Sequence, residues 1–176
     1  MKNPYPALLL NRLGAHGIVY PYWTYREALA QKVGLPLACA ILTMETSGGH
    51  MIYGHDQDRL GRCPGWGWGQ VTKANYALFK HLRQTSGRSN GVGAMQLTSP
   101  GLQDEADRLG GCWLPRWNIA VGLRYVHEGI RAHGLEEGIA SYNGSGAAAQ
   151  RYARNVLALA ERFRAEGCGT LVGIWN

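Results

Sequence analysis

The chain has 176 residues, of which 45% are apolar and 17% are charged, a balance typical of one globular domain with a sizeable core. Its longest apolar run, residues 35–44, is shorter than the roughly 20 residues that a membrane span needs, which excludes insertion into a bilayer. Eighteen Lys and Arg against twelve Asp and Glu give a net charge of +6, which favours an anionic partner such as nucleic acid, a membrane surface or bacterial cell wall. Because the chain has neither a basic run nor a common nucleic-acid-binding motif, we do not expect it to bind nucleic acid.

The N-terminal residues show no secretory signal, since they lack a long apolar core and a small-residue cleavage site. From the length and composition we expect a single domain over residues 1–176, with an N-terminal extension at 1–20 and a core at 24–166. The sequence contains no H-E-x-x-H and no C-x-x-C motif, and neither a metal nor another cofactor is expected.

Four cysteines permit two disulfides. Cys39 lies in an apolar segment and is predicted to be a small core residue. Cys63 and Cys112 lie in segments predicted to be loops, so they form the more plausible disulfide pair.

Helical signals follow one another along most of the chain. Thr24 and Glu27 have the spacing of a capping box and predict a helix that runs to Val33. Pro36 and the glycines after Ser47 predict a short apolar helix over residues 36–46. Capping residues and apolar periodicity predict further helices that begin after Thr72, Ser99 and Asn118, near Leu135 and near Ala147. The side chains that are predicted to face inward on these helices include Tyr76, Phe79, Leu82, Ile119, Leu123, Val126, Ile130, Tyr152, Val156, Leu159 and Phe163.

Two glycine-rich segments, residues 47–71 and 86–98, separate these helices. The first contains the sequence YGHDQD and the second contains GVGAMQLT. The composition of the first suits a loop or a small β-element. The sequence therefore predicts a mainly α (α+β) protein with six or seven helices, two long loops and one small β-hairpin.

Glu45 is the only charged residue of the apolar helix at 36–46. Counting back by fours places it on the same face as Ile41 and Leu37, which predicts burial of its carboxyl group. Burial and the negative end of the helix dipole would both raise the pKa of Glu45 towards that of a general acid. The alternative is a structural glutamate that caps the helix or pairs with an arginine.

Four segments carry a resemblance to a known family: the Glu45 helix with its TSGG end, YGHDQD, GVGAMQLT, and ASYNGSG followed by YARNVL. In content and order they resemble the lysozyme-like peptidoglycan glycosidases, namely soluble lytic transglycosylases, goose-type lysozymes and the catalytic domains of phage endolysins. The resemblance covers about residues 24–160 and looks closest to endolysins of phages that infect actinobacteria.

The resemblance implies a lysozyme-like fold with a substrate cleft, and cleavage of the β-1,4 bond between N-acetylmuramic acid and N-acetylglucosamine in peptidoglycan. It also implies a monomer that is made in the host cytoplasm and reaches the cell wall after release through a membrane lesion. A non-catalytic wall-binding module is the alternative from a different class.

By the same resemblance, Glu45 is the catalytic acid, Gly93–Leu97 lines the cleft, and Ala140–Gly144 supports the acid from the opposite side. Thr46 stands where the common motif has Ser, and Gly144 with Ser145 replaces the usual Ala-Gly. The candidate substrate-binding residues are Thr46, Trp66, Met95, Gln96, Tyr142 and Asn143. Trp68, Trp113 and Tyr53 are further candidates for stacking on sugar rings.

The second catalytic carboxylate is expected to be Asp56 or Asp58, which follow Glu45 across a loop. An inverting hydrolase needs a base about 6.5–9.5 Å from the acid, whereas a nucleophile lies nearer, at roughly 5–5.5 Å. If neither aspartate reaches the site, the C6 hydroxyl of the sugar attacks instead. The product then has the 1,6-anhydro end that lytic transglycosylases make.

Overall fold

The segments with helical periodicity form helices in the structure, a computed structural model that describes residues 7–54 and 69–169. Within these ranges the protein is mainly helical, as predicted. The helices are α1 (Ala7–Ala15), α2 (Pro21–Ala30), α3 (Leu35–Thr46), α4 (Lys73–Ser86), α5 (Pro100–Leu109), α6 (Pro115–His133), α7 (Leu135–Asn143) and α8 (Gly146–Ala165).

The β-structure of the described residues is limited to two isolated antiparallel bridges. Ile52 pairs with Gln70, and Tyr53 pairs with Val92. The predicted hairpin falls largely on residues 55–68, which lie outside the described residues. Among the described helices, none is long and apolar enough to cross a membrane.

Helix α3 lies at the centre of the core. All residues from Leu35 to Leu42 are buried, as expected for a helix that is apolar on every side. It packs against α2 and α8, while α7 packs against both α6 and α8. The core therefore holds the C-terminal end of α3 close to α8, and this arrangement positions the site described below.

The predicted capping box at Thr24 and Glu27 is wrong. Helix α2 already begins at Pro21, whose fixed φ suits the first helical position, so Thr24 lies inside the helix. The Thr24 hydroxyl donates to the carbonyl oxygen of Tyr20 at 2.9 Å. Glu27 is buried and accepts a hydrogen bond from Arg116 at 3.3 Å, which gives the carboxylate a charged partner instead of a capping role.

The predicted cap at Asn118 is also wrong, for the same reason. Helix α6 begins at Pro115, and Asn118 is a fully buried residue in its first turn. Helix α4 follows the prediction, since Thr72 and Asn75 form a capping box. On this helix Leu82 is 36% exposed and Arg83 is buried instead, because the guanidinium of Arg83 has polar partners on α5.

The predicted disulfide between Cys63 and Cys112 is not supported by the state of Cys112. Cys112 is a free and fully buried thiol that accepts a hydrogen bond from Asn118 at 3.4 Å. Burial raises the pKa of this thiol to about 12, so it is protonated and unreactive at neutral pH. Cys63 lies outside the described residues, and Cys39 is buried in the core as predicted.

Candidate active site

A cavity of about 570 Å³ opens where the C-terminal ends of α3 and α7 meet the N-terminal end of α5. Four residues singled out in the sequence come together on its walls, namely Glu45, Gln96, Tyr142 and Asn143. The other described residues that line it are Leu97, Thr98, Ser99, Gly101, Leu102 and Tyr125.

Helix α3 ends in a tight turn that fixes the position of Glu45. Ser47 adopts a left-handed conformation with φ 54°, and Gly48 follows with φ 113°. A Cβ atom on Gly48 would lie 2.0 Å from the carbonyl oxygen of Gly17, so only glycine fits there. Glu45 is therefore held in the last helical turn, at the edge of the cavity.

The surroundings of Glu45 differ in part from the prediction. Leu37 and Ile41, on the same face of α3, are buried as expected. The Glu45 side chain is only half-buried, because the last turn of α3 reaches the wall of the cavity. The carboxyl group is thus accessible from the cavity while its helix is anchored in the core.

Tyr152 on α8 donates a hydrogen bond from its phenol to Oε1 of Glu45. Burial, the nearby charge of Glu45 and this hydrogen bond all raise the pKa of Tyr152 well above its usual value. The phenol therefore remains protonated and acts as a donor over the whole neutral pH range. The sequence predicts only a core position for Tyr152, because its spacing on α8 matches that of the buried residues.

Tyr142, at the end of α7, does not contact Glu45 by a hydrogen bond. Its phenol donates to the carbonyl oxygen of Met95. Burial, followed by the charges of Glu45 and Tyr125, raises the pKa of Tyr142 well above its usual value. Tyr142 thus fixes the loop that carries Gln96, and Tyr125, 39% exposed, packs against its ring at 5.9 Å.

The loop at residues 90–97 contributes Gln96 and Leu97 to the wall of the cavity. Val92 and Leu97 exchange backbone hydrogen bonds, which closes a tight turn. Gln96 has a positive φ of 46° and is half-buried, with the buried Met95 and Leu97 on either side. Its Nε2 donates to the carbonyl oxygens of Ile52 at 3.0 Å and Gly93 at 2.9 Å, so this nitrogen is occupied within the protein.

Three buried amide side chains hold this loop. Asn118 accepts a hydrogen bond from the backbone nitrogen of Met95 and donates to the carbonyl oxygen of Val92, both at 2.9 Å. Gln103 donates to the carbonyl oxygen of Leu97 at 2.6 Å. The third amide, Asn90, donates to the carbonyl oxygen of Gly54 at 2.8 Å. Since buried polar groups that are fully paired rigidify their surroundings, the loop is a firm wall.

Glycines allow the loop to approach α6 closely. A Cβ on Gly93, whose φ is 78°, would lie 2.4 Å from Nδ2 of Asn118. A Cβ on Gly122 would lie 2.6 Å from Cβ of Met95. Gly93 of GVGAMQLT and Gly122 of α6 are therefore needed for this close packing, and Gly93 is also needed for the turn geometry of the loop.

Several candidates support the site without lining the described part of the cavity. Thr46 is buried, and its hydroxyl donates to the carbonyl oxygen of Ala94 at 2.9 Å. Met95 and Tyr53 are core residues, and Trp113 packs against Tyr76. The burial of Thr46, Met95 and Tyr53 does not fit direct contact of these side chains with substrate. Trp113 is half-buried, and its role in stacking on sugar rings stays a prediction.

The remaining candidates, Asp56, Asp58, Trp66 and Trp68, lie outside the described residues. Among residues 7–54 and 69–169, no group of three His, Cys, Asp or Glu side chains is arranged to hold a metal ion. The described geometry provides one carboxyl group with a phenol donor and one braced loop, and both line the same cavity.

Comparisons with known proteins do not identify a relative of this chain. No protein-family model matches the chain, and neither a curated protein nor a solved structure matches it.

Proposed function

We propose that the protein is a peptidoglycan glycosidase with a lysozyme-like fold and that Glu45 is its general acid. The observation that carries this proposal is the pairing of Glu45 with Tyr152 at the wall of an open cavity. The order of the motifs in the sequence supports it independently. The bond cleaved is the β-1,4 linkage between N-acetylmuramic acid and N-acetylglucosamine.

Tyr152 gives Glu45 the orientation that a general acid needs. Its phenol donates to Oε1, so the proton of an uncharged Glu45 carboxyl resides on Oε2. A glycosidic oxygen bound in the cavity then receives this proton as the bond to the sugar breaks. The core packing of α3 and α8 keeps the two side chains in register during the reaction.

The composition of the cavity walls suits a sugar polymer. Sugars combine hydroxyl and amide groups with apolar ring faces, and the walls offer the Asn143 amide and the aromatic rings of Tyr125 and Tyr142. The net charge of +6 favours approach to an anionic cell wall. We expect the protein to act as a monomer on the wall, after release from the cytoplasm in which it is made.

The reaction is completed by one of two nucleophiles. In hydrolysis, Asp56 or Asp58 activates a water molecule. In transglycosylation, the C6 hydroxyl of the muramic acid attacks its own C1. We propose hydrolysis, with Asp56 as the first choice of base because it belongs to the YGHD motif.

Digestion of purified peptidoglycan followed by mass spectrometry tests this proposal. Hydrolysis at the proposed bond gives fragments with reducing N-acetylmuramic acid ends. Ends of the 1,6-anhydro type would keep Glu45 as the acid but replace the water by the sugar hydroxyl. Peptidoglycan that is bound but not cleaved would contradict the proposal and would indicate a wall-binding module.

A further inference from the structure

Asn143 lines the cavity and is followed by Gly144, and this asparagine–glycine pair has a reactivity that the proposed function does not use. Asn143 is the last residue of α7, Gly144 follows it with φ 134°, and both are exposed. Within the described residues, the Asn143 side chain has no hydrogen-bond partner. We propose that this pair is a site of spontaneous deamidation, which converts the amide at the cavity wall into a carboxylate.

The conversion needs only the chain itself, a base and water. The backbone nitrogen of Gly144 loses its proton and attacks Cγ of Asn143. A new C–N bond forms, the bond from Cγ to Nδ2 breaks, and the side-chain nitrogen leaves as ammonia. Water then opens the cyclic succinimide at either carbonyl and produces aspartate or isoaspartate. Glycine at the second position favours the attack because it has no Cβ to hinder it.

The local structure permits this attack at a small cost. The nitrogen of Gly144 donates to the carbonyl oxygen of Ala140 at 3.1 Å, and this is the last backbone hydrogen bond at the end of α7. Helix ends open readily, so the nitrogen is released without unfolding the domain. A Cβ on Gly144 would have no heavy atom within 4 Å, which leaves room for the succinimide ring.

The chain contains a matched control for this reaction. Asn90 and Gly91 form a second asparagine–glycine pair, but both residues are buried. Nδ2 of Asn90 is held by the carbonyl oxygen of Gly54 at 2.8 Å, and the nitrogen of Gly91 donates to Oδ1 of Asn90 at 2.8 Å. A base and water cannot reach this pair in the folded state, so we expect Asn90 to remain intact.

Deamidation would alter the charge of the proposed active site, and this second step rests on the proposed function. A carboxylate at position 143 shares the cavity with Glu45. Like charges favour the protonated form of the acid. A general acid is lost as the pH rises through its titration, so the alkaline limb of the pH–rate profile moves to higher pH. At pH values below this limb the rate also falls, because the amide donor at position 143 is lost.

Peptide mapping by mass spectrometry tests the modification itself. The wild-type protein is incubated at mildly alkaline pH, and conversion to aspartate or isoaspartate is followed at both pairs. We expect position 143 to convert at least about tenfold faster than position 90, because only the first lies at a fraying helix end. Equal rates at the two sites would overturn the proposal. It would also fail if position 143 stayed intact while an unstructured peptide, Ser-Tyr-Asn-Gly-Ser-Gly, converted fully.

The variant Asn143→Asp tests the effect on activity, with circular dichroism as a check of folding. Its lytic rate is expected to be lower than that of the wild type, with the alkaline limb moved to higher pH. Asn155→Asp, an exposed site on α8 outside the cavity lining, is the control. An unmoved limb would overturn this second step. The peptide map does not depend on cleavage, so a failure of the proposed function leaves its result intact.

Discussion

The helical wall of the cavity, formed by the ends of α3 and α7, carries ionisable groups, whereas the loop wall at residues 90–97 is held by neutral amides. Glu45 belongs to the helical wall, with Tyr152 behind it on α8. Asn90, Gln103 and Asn118 hold the loop wall. Amides keep one protonation state at every working pH, so the helical wall can change its charge while the loop wall keeps its shape.

Two hydroxyl groups join these walls. Thr46 on α3 donates to the carbonyl oxygen of Ala94, and Tyr142 on α7 donates to that of the next residue, Met95. Neighbouring carbonyls of the loop are thus tied to different helices. A few hydrogen bonds therefore hold the helical wall and the loop wall in place, and the effect of removing each one can be measured.

The largest effect is expected when the loop wall loses an amide. Asn118→Ala leaves the nitrogen of Met95 and the carbonyl oxygen of Val92 buried without this partner. The free energy of unfolding should fall by about 3 kcal/mol, because unpaired buried polar groups are costly. Chemical denaturation measures this loss. Asn155→Ala, on the exposed face of α8, should change it by less than about 0.5 kcal/mol, and equal effects of the two variants would refute the bracing role.

A smaller effect is expected on the helical wall. Tyr152→Phe removes the donor to Glu45 and should lower the lytic rate about tenfold, because the acid loses its fixed orientation. The free energy of unfolding at neutral pH should fall by about 1.5 kcal/mol, because the hydrogen bond to the Glu45 carboxyl is lost.

The same variant should also change how the free energy of unfolding depends on pH, because only the helical wall contains the phenol of Tyr152. The raised pKa of Tyr152 means that, above about pH 10, the unfolded chain releases a proton that the native chain retains. Stability contributed by Tyr152 is complete below pH 10 and falls by about 1.4 kcal/mol per pH unit above it. Tyr152→Phe should reduce the alkaline slope of the unfolding free energy by that amount. An identical slope in variant and wild type would show that the phenol is not buried as described.

The smallest effect on stability is expected from the hydrogen bond that ties Thr46 of α3 to the loop. Thr46→Val keeps the shape of the side chain but removes the donor to Ala94, and it should cost about 1 kcal/mol. Thr46→Ser retains the hydroxyl and is the matched control for this contact. A valine variant as stable as the wild type would mean that the hydroxyl does not tie α3 to the loop.

The sequence predicted the helices better than their first residues. Apolar periodicity depends on burial, which the fold preserves, so Ile119, Leu123, Val126 and Ile130 are all buried as predicted. Caps depend on the residue at which the helix begins, and two helices, α2 and α6, begin at a proline that precedes the predicted cap. Asn118 became a buried brace because α6 begins at Pro115.

The candidate site was predicted in part. Glu45, Gln96, Tyr142 and Asn143 meet at the cavity, but the partner of Glu45 was missed. Tyr152 lies 107 residues away along the chain, and its spacing on α8 matches that of ordinary core residues. Periodicity cannot distinguish a tyrosine that packs in the core from one whose hydroxyl reaches a carboxylate, since that difference arises only when α8 crosses α3.

The variant Glu45→Gln, measured for lysis of purified cell walls, tests the central claim most directly. The amide keeps the size of the side chain and cannot donate the proton, so lysis should fall by a factor of at least about 100. The unfolding midpoint and wall binding should stay unchanged. Glu161→Gln, at an exposed residue of α8 paired with Arg164, should remain fully active. Near-wild-type lysis by Glu45→Gln would contradict the assignment of Glu45 as the general acid.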